Sequence, residues 1–230
     1  LALALAPLLG GVISRVKARI AGRVGPPLLQ PYYELAKLLF KGVVYSHTST
    51  WIFRAAPLIS VAAVGGAVLL MPVGSGRGVV SFGGDVIVFV YLLGLARMLT
   101  VLAALDTGSS FEGMGASREM LLAALSEPAL LVALAVVARH TPENSLAQLC
   151  AVARGAAWTA QWPAVALVCA VLCVIMLAET ARVPVDDPAT HLELTMIHEV
   201  MVLDHSGPDL ALMGYAHALK LWVLSALCIN

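Results

Sequence analysis

The amino-acid sequence predicts an all-α fold, a polytopic bundle of transmembrane helices that forms a single integral membrane domain over residues 1–230. The chain is 60% hydrophobic and only 12% charged, and its mean hydropathy of +0.90 lies far above the range of soluble domains. Its apolar residues form long continuous blocks without strict alternation, which favours helices over a β-barrel. A net charge of zero argues against a nucleic-acid binder.

The apolar blocks predict about six spans. The first run, LALALAPLLGGVIS, is short for a crossing that needs about 20 residues. We interpret it as part of a spanning helix, because it lacks the basic segment of a signal peptide. Five longer blocks follow, at about 52–73, 85–105, 119–138, 159–179 and 209–229. Since the chain stops within the apolar run LKLWVLSALCIN, we expect it to be a fragment of a longer protein.

The distribution of basic residues predicts which loops face the cytoplasm. The segment after the first run carries Arg15, Lys17, Arg19, Arg23, Lys37, Lys41 and Arg54, whereas the segment after the second span has only Arg77. The first of these segments is therefore expected inside. Alternation then places the 106–118 and 180–208 loops in the cytoplasm and the 139–158 loop outside.

The stretch QPYYELAKLLFK within the first basic segment predicts a cytoplasmic amphipathic helix. Glu34, Lys37 and Lys41 fall at i, i+3 and i+7 and form one polar stripe, and Pro31 suits a first helical position. Such a helix would lie at the membrane surface or wedge between spans. The pattern leaves open whether it is functional or a simple linker.

Several ionisable residues fall within or at the ends of predicted spans: Arg97, Glu119, Glu127, Glu179, His217 and Lys220. A charge in the bilayer is unfavourable unless it is paired or hydrated, so each of these positions needs a reason. A row of carboxylates with neighbouring cations is what a proton path requires. The alternative is a set of structural ion pairs between helices, and the sequence leaves both open.

The segment ETARVPVDDPATHLELTMIHEVMVLDHSGPD, residues 179–209, predicts a long cytoplasmic loop rich in acidic and histidine residues. Asp187 and Pro188 form a good cap and first position for a helix that should run through Leu203. On that helix His191 and His198 would share one face. The segment concentrates titratable groups between two apolar blocks.

No motif predicts catalytic or metal-binding residues. His198 and Glu199 begin like the zinc-binding pattern HExxH, but Val202 stands where the second histidine would be. The four cysteines show no CxxC spacing, and no nucleophile elbow is present. We therefore expect no catalytic residue, no metal and no cofactor in this chain.

With these features assembled, the chain resembles the H-type membrane subunit shared by NADH–quinone oxidoreductase (complex I) and the membrane-bound group 4 [NiFe] hydrogenases. Three patches carry the resemblance: RVGPPLLQPYYELAKLLFK at 23–41, GASREMLLAALSE at 115–127 and AETARVPVDDPATHLEL at 178–194. The third departs from the complex I loop at Ala189 and His191. The continuation TMIHEVMVLDHSGPD is most similar to the formate hydrogenlyase and hydrogenase-4 membrane subunits. The departures argue against a complex-I-type quinone site.

The resemblance implies a membrane anchor and ion-coupling subunit of a multi-subunit hydrogenase-type respiratory complex in a bacterial or archaeal cell membrane. Its partners would be hydrogenase large and small subunits and Fe–S subunits, which carry the [NiFe] and Fe–S centres, and antiporter-like membrane subunits. The family has eight spans, of which about six lie in this chain.

The site residues fall into two expected sets. Ion coupling would involve Arg97, Glu119, Glu127, Glu179, Asp186, Asp187, Glu193 and Lys220. Docking of the redox module would involve Arg23, Gln30, Glu34, Lys37, Arg118, Arg182, His191 and His198. We expect redox change in the docked module to shift the 106–118 and 180–208 loops between two arrangements and so to alter proton binding at Glu127 and Glu179.

Other functions remain open at this stage. A quinone-site H-type chain of NADH–quinone oxidoreductase would bind a quinone headgroup. A stand-alone secondary transporter would show inverted repeats, and the sequence has no internal repeat. An intramembrane metalloprotease would contain metal.

Overall fold

In the computed structural model, residues 2–72, 78–139, 141, 145–154, 162–186 and 196–229 are described, and these residues contain helices but no strand. The helices are α1 Ala2–Ile20, α2 Gln30–Leu39, α3 Trp51–Leu70, α4 Asp85–Asp106, α5 Ser110–Ala138, α6 Leu146–Arg154, α7 Trp162–Glu179, α8 Ile197–Met201 and α9 Gly207–Ile229. Five of them, α3, α4, α5, α7 and α9, are long and apolar enough to cross a membrane. The predicted all-helical multi-pass fold is therefore confirmed.

The core of the bundle is formed by α3, α4 and α9, with α5 and α7 packed alongside. Small side chains let the helices approach, as at Ala63 and Ala67 of α3, and larger residues such as Phe89 and Leu219 fill the space between them. Between membrane helices this close packing replaces the hydrophobic effect, because lipid is as apolar as the side chains themselves.

The predicted loop at 106–118 is wrong over most of its length, because α5 begins at Ser110 and only residues 107–109 separate it from α4. Along this part of α5, Glu112, Gly115, Ala116 and Glu119 are buried at helical spacing. A side chain at Gly115 would lie 3.1 Å from the carbonyl oxygen of Ile197. The segment looks polar in sequence but is helical because its small face packs against α8.

The predicted outer loop at 139–158 contains a short helix, α6. Asp85, at the start of α4, is fully buried and accepts a 2.6 Å hydrogen bond from the backbone N–H of Leu146. A carboxylate that satisfies the first free N–H group stabilises a helix start. Asp85 therefore fixes α6 to this end of the bundle, which a loop interpretation did not anticipate.

The opposite end, which we call the loop end, contains α2, α8, the start of α3, the α4–α5 connection and the start of α9. Thr50 is bonded to Asp106 through its backbone N–H at 2.7 Å, and the Tyr45 hydroxyl donates to Asp209 at 2.8 Å. These bonds tie the segment after α2 to α4 and to α9. The segment's structure is therefore set by side chains that meet only in the folded bundle.

Helix α2 forms within the predicted stretch and packs at the edge of the bundle against α1 and α9. None of its residues is fully buried. Nearby, the Tyr32 hydroxyl donates to the Ala4 carbonyl and the Tyr215 hydroxyl donates to the Leu3 carbonyl at 2.9 Å. A helix is therefore present in the predicted stretch, and its role as a cytoplasmic amphipathic helix stays a prediction.

In the 180–208 segment, α8 ends at Met201, near the predicted helix end at Leu203. The predicted helix start at Asp187 and Pro188 lies outside the described residues, as do His191 and Glu193.

Gly207 lies in a tight turn of the loop end. Its φ is +55°, and a Cβ built on it would lie only 2.7 Å from the carbonyl oxygen of Gly42. Gly207→Ala should therefore destabilise the protein by at least about 1–2 kcal/mol, since an alanine is strained at positive φ and also meets backbone. Thermal unfolding in mild detergent measures the change. Gly214→Ala, on the same helix with nothing within 4 Å, is the matched control. Equal unfolding midpoints for the two variants would contradict the strain assigned to this turn.

Candidate functional site

Four spanning helices contribute ionisable side chains to one buried charged cluster. Its members are Arg97 of α4, Glu119 and Glu127 of α5, Glu179 of α7 and Lys220 of α9. All five were singled out in the sequence as ionisable residues within or at the end of spans. The structure shows that they form one connected network.

Arg97 lies at the centre of the cluster and contacts all three carboxylates. Its Nε lies 3.3 Å from Glu119 Oε1, its Nη1 donates to Glu127 Oε1 at 3.1 Å, and its Nη2 contacts Glu179 Oε1. A guanidinium suits this position because its planar fork of donors can reach several acceptors at once. Arg97 thus joins α4 to α5 and α7.

Glu179 is the second point of convergence. Lys220 Nζ lies 2.8 Å from its Oε2, and the Ser126 hydroxyl donates to its Oε1 at 2.6 Å. Glu179 therefore forms ion pairs with Arg97 and Lys220 and accepts a hydrogen bond from Ser126, and these three partners lie on three different helices. It ends α7, where the apolar block gives way to the 180–208 segment.

Gly94, one turn before Arg97, leaves room for the carboxylate of Glu127. A Cβ built there would lie 3.3 Å from Glu127 Oε1. The Glu127 side chain is 43% exposed, whereas those of Arg97 and Glu179 are 5% and 4% exposed. Glu127 therefore extends the cluster from the bundle interior to its lateral face.

The cluster contains three carboxylates and two cations. With every group ionised it would carry one uncompensated negative charge. Because the Glu127 side chain is 43% exposed, this excess charge lies at the lateral face of the bundle, and binding of one proton by the cluster would remove it. The arrangement is therefore chemically able to hold and release a proton while its ion pairs keep the other charges balanced.

Two cavities that share lining residues lie beside the cluster and beside the loop end. A small cavity of about 40 Å³ is bordered by Arg97, Glu119, Glu179 and Lys220. Because a water needs a space of about 10–15 Å³, this cavity can hold a few waters. A larger, mainly polar pocket of about 350 Å³ lies nearer the loop end, beside Arg182.

His198 of α8 and His217 of α9 border both cavities. Their ring centroids lie 4.1 Å apart with the ring planes tilted by 54°. Burial lowers the pKa of His198 to about 4, and the positive charges of Lys220 and Arg182 act in the same direction. Burial also lowers the pKa of Arg182. His198 is therefore neutral at ordinary pH.

The residues expected to dock the redox module are distributed unevenly. Arg23, Glu34, Lys37 and Arg118 are exposed, and Gln30 donates to Glu34 at 3.0 Å. Arg182 is half-buried beside the larger pocket. His198 is half-buried and borders both cavities. His191 lies outside the described residues.

Of the remaining residues that are expected to take part in ion coupling, Asp186 is buried and accepts a 2.9 Å hydrogen bond from the Ile197 backbone N–H. It fixes the start of α8, and its Oδ1 has no hydrogen-bond partner among the described residues. Asp187 and Glu193 lie outside the described part of the chain.

Two buried polar residues of α5, Glu112 and Ser126, were not predicted from the sequence. Glu112 is fully buried. It accepts one hydrogen bond from the Thr107 hydroxyl and another, of 3.1 Å, from the Asp204 backbone N–H. Glu112, Glu119 and Ser126 are spaced by seven residues and are all buried on one face of α5. The sequence shows this spacing, but Glu112 was not recognised because the helix was predicted to start at residue 119.

A bundle of spanning helices with a shared network of buried charges defines a multi-pass membrane protein with a titratable interior. Residues 1–230 match the sequence model described as NADH dehydrogenase, so the chain belongs to that family. The resemblance to H-type membrane subunits is thereby confirmed.

Two relatives come from Escherichia coli (strain K12). The chain is 31% identical over 217 residues to formate hydrogenlyase subunit 4, covering 94% of this chain and 69% of that protein. It is 32% identical over 230 residues to hydrogenase-4 component C, covering 99% and 70%. The H-type chain of NADH-quinone oxidoreductase from Rubrobacter xylanophilus is 28% identical over 207 residues, covering 89% and 61%.

A similar fold occurs in the structure of the membrane-bound sulfane sulfur reductase (MBS), an archaeal respiratory membrane complex. The TM-score is 0.81 at 22% identity, and the match covers 98% of this chain and 73% of that one. The likeness shows that this helical arrangement is shared.

The lowered pKa of His198 predicts a pH effect on stability. An ordinary histidine in the unfolded chain binds a proton as pH falls through 6.5, whereas folded His198 stays neutral down to about 4. In that window the unfolded state binds more protons, so the folded state loses stability as pH falls, by at most about 1.4 kcal/mol per pH unit.

The check is thermal unfolding in detergent across this pH window. His198→Gln should flatten the pH dependence, and His47→Gln, at an exposed position of the loop end, should leave it unchanged. An identical pH dependence for His198→Gln and the original protein would contradict the assignment.

Proposed function

We propose that this chain is the membrane anchor and ion-coupling subunit of a multi-subunit hydrogenase-type respiratory complex in a bacterial or archaeal cell membrane. It seats a peripheral redox module at its loop end and links that module, through buried carboxylates, to ion-moving membrane subunits. Family membership and the two relatives from hydrogen-metabolising systems support the class of complex.

The buried charged cluster is the single observation that carries the proposal. Ionised side chains in a membrane interior are retained where they serve transport or charge movement. Here three carboxylates face two cations, so uptake of one proton would make the cluster neutral and its release would leave one negative charge. A change near Glu179, at the loop end of the network, is transmitted along the ion pairs to Glu127.

The loop end supports the seating of a partner. It exposes the basic residues Arg23, Lys37 and Arg118 and the apolar side chains of Phe40 and Trp51. Mixed basic and aromatic surfaces are typical of protein interfaces. By the positive-inside rule this end lies in the cytoplasm, where a soluble redox module with [NiFe] and Fe–S centres would dock.

The lateral face at Glu127 supports a membrane partner. A carboxylate that is 43% exposed on a spanning helix is unfavourable against lipid. A neighbouring antiporter-like subunit that covers this face would bring polar groups to Glu127 and continue the charged network. The cluster then connects the seat to the subunit that moves ions.

A second candidate is the quinone-site H-type chain of NADH–quinone oxidoreductase, favoured by the 28% identity to the Rubrobacter protein. The higher identity to the two hydrogenase-type relatives favours the first proposal. Bound quinone in the purified complex would reverse this preference.

Whether the chain is a subunit of such a complex is tested by identifying the proteins that copurify with it from native membranes in mild detergent. The proposal predicts a [NiFe] large subunit, Fe–S subunits and antiporter-like membrane subunits in stoichiometric amounts. Purification of the chain as a lone functional protein would contradict it, as would companions restricted to NADH-oxidising subunits.

Glu179→Gln tests the coupling within that complex. The variant keeps the side-chain shape but removes the charge that pairs with Arg97 and Lys220, so ion movement should fall by roughly 10-fold or more while redox turnover with artificial acceptors is retained. Ion uptake into proteoliposomes and redox turnover are measured on the same sample. Asp204→Asn, at an exposed carboxylate of the loop end that belongs to neither expected set, is the matched control. Normal ion movement in Glu179→Gln would remove the cluster from the path.

A further inference from the structure

We propose that His198 and His217 form a proton-transferring pair that joins the loop-end pocket to the buried charged cluster. The inference rests on the proposed function and deepens it, because it names the entry point through which the cluster exchanges protons.

The first observation is the position of the two rings. The small cavity at the cluster and the larger loop-end pocket share three lining residues, Ala181, His198 and His217. Of these, only the two histidines carry groups that bind protons. The pair therefore stands where the two spaces meet, and a proton that passes from one space to the other passes beside an imidazole.

The second observation is the contact between the rings. With centroids 4.1 Å apart and planes tilted by 54°, the imidazoles touch without lying parallel, and each has atoms on both cavities. A neutral imidazole offers one N–H donor and one acceptor nitrogen. It can accept a proton on one nitrogen and release the proton of the other, so the ring regains neutrality after each transfer.

Burial, and after it the positive charges of Lys220 and Arg182, keeps His198 neutral between transfers. The loop-end pocket contributes Lys17, Arg182, Asp186 and Glu199, and the cluster side contributes Arg97, Glu119, Glu179 and Lys220. The lowered pKa of His198 agrees with the nearby cations. A proton that reaches the pair is therefore passed to an acceptor. On the cluster side that acceptor is Glu179, the carboxylate that forms the ion pair with Lys220.

Asp186 places a carboxylate beside the pair, on the side of the loop-end pocket. It is buried, it borders the loop-end pocket with His198, and its Oδ1 has no hydrogen-bond partner among the described residues. An unpaired buried carboxylate oxygen is unfavourable unless water or a proton reaches it. The Oδ1 atom of Asp186 therefore leaves one hydrogen-bond acceptor free beside the pocket that His198 also borders.

A purely structural role for the pair predicts a different outcome from a proton-transfer role. If the rings only fill space, Gln at either position should preserve function, because it has similar size and polarity. If they transfer protons, Gln should fail, because an amide does not exchange protons through its two ends. Exogenous imidazole should then restore function to a variant with an emptied site.

The test uses the intact purified complex in proteoliposomes, with redox turnover and proton uptake measured separately. His198→Gln and His217→Gln should each lower proton uptake per turnover by roughly 10-fold or more. His198→Ala should show the same loss, and added imidazole should restore part of it, since the pocket of about 350 Å³ is open to a molecule of that size. His47→Gln is the matched control at an exposed histidine of the same end.

Normal proton uptake in the Gln variants would overturn the inference, and so would loss in His198→Ala that imidazole leaves unchanged. Glu179→Gln in the same vesicles separates this failure from failure of the proposed function. If Glu179→Gln loses proton uptake while the histidine variants keep it, the pair is excluded and the coupling role of the cluster stands. If all these variants keep it, the coupling role itself falls.

Discussion

The contact of one guanidinium with three carboxylates inside the membrane-spanning bundle is the interaction on which the rest of the structure depends. Desolvating charges of this kind is strongly unfavourable unless each one is paired, so the pairs must form together with the helix packing. Arg97 joins α4 to α5 and α7, and Glu179 adds α9 through Lys220. Any relative shift of these four helices would leave a charge unpaired in a medium of low dielectric.

The remaining features position this network and give it access to water. Gly94 provides the space that brings Glu127 to Arg97, and Gly115 lets α8 pack against α5. With α8 held there, and with Asp186 fixing its first N–H, His198 reaches His217 above the small cavity. The loop end thus adjoins the cluster through the residues that line both cavities.

The sequence predicted the parts of this arrangement that depend on local composition. Apolar blocks located the five long spans within a few residues at most ends, and the ionisable residues of the cluster were recognised because each interrupts or ends such a block. Their convergence on Arg97 was not predictable, because the order and rotation of packed helices is not encoded in local periodicity. The helical segment at 110–118, which has a polar sequence, and the short, mainly apolar helix α6 were missed because tertiary contacts through Gly115 and Asp85 stabilise them.

A double-mutant cycle between Arg97 and Glu179 tests the central role of the cluster most directly. Unfolding free energies are measured in detergent for Arg97→Met, Glu179→Gln and the double variant. If the two side chains stabilise the bundle as a buried pair, the double variant should lose less than the sum of the single losses, by about 2 kcal/mol. Losses that add to within about 0.5 kcal/mol would show that the pair is not coupled in the folded protein and would contradict the central role of the cluster.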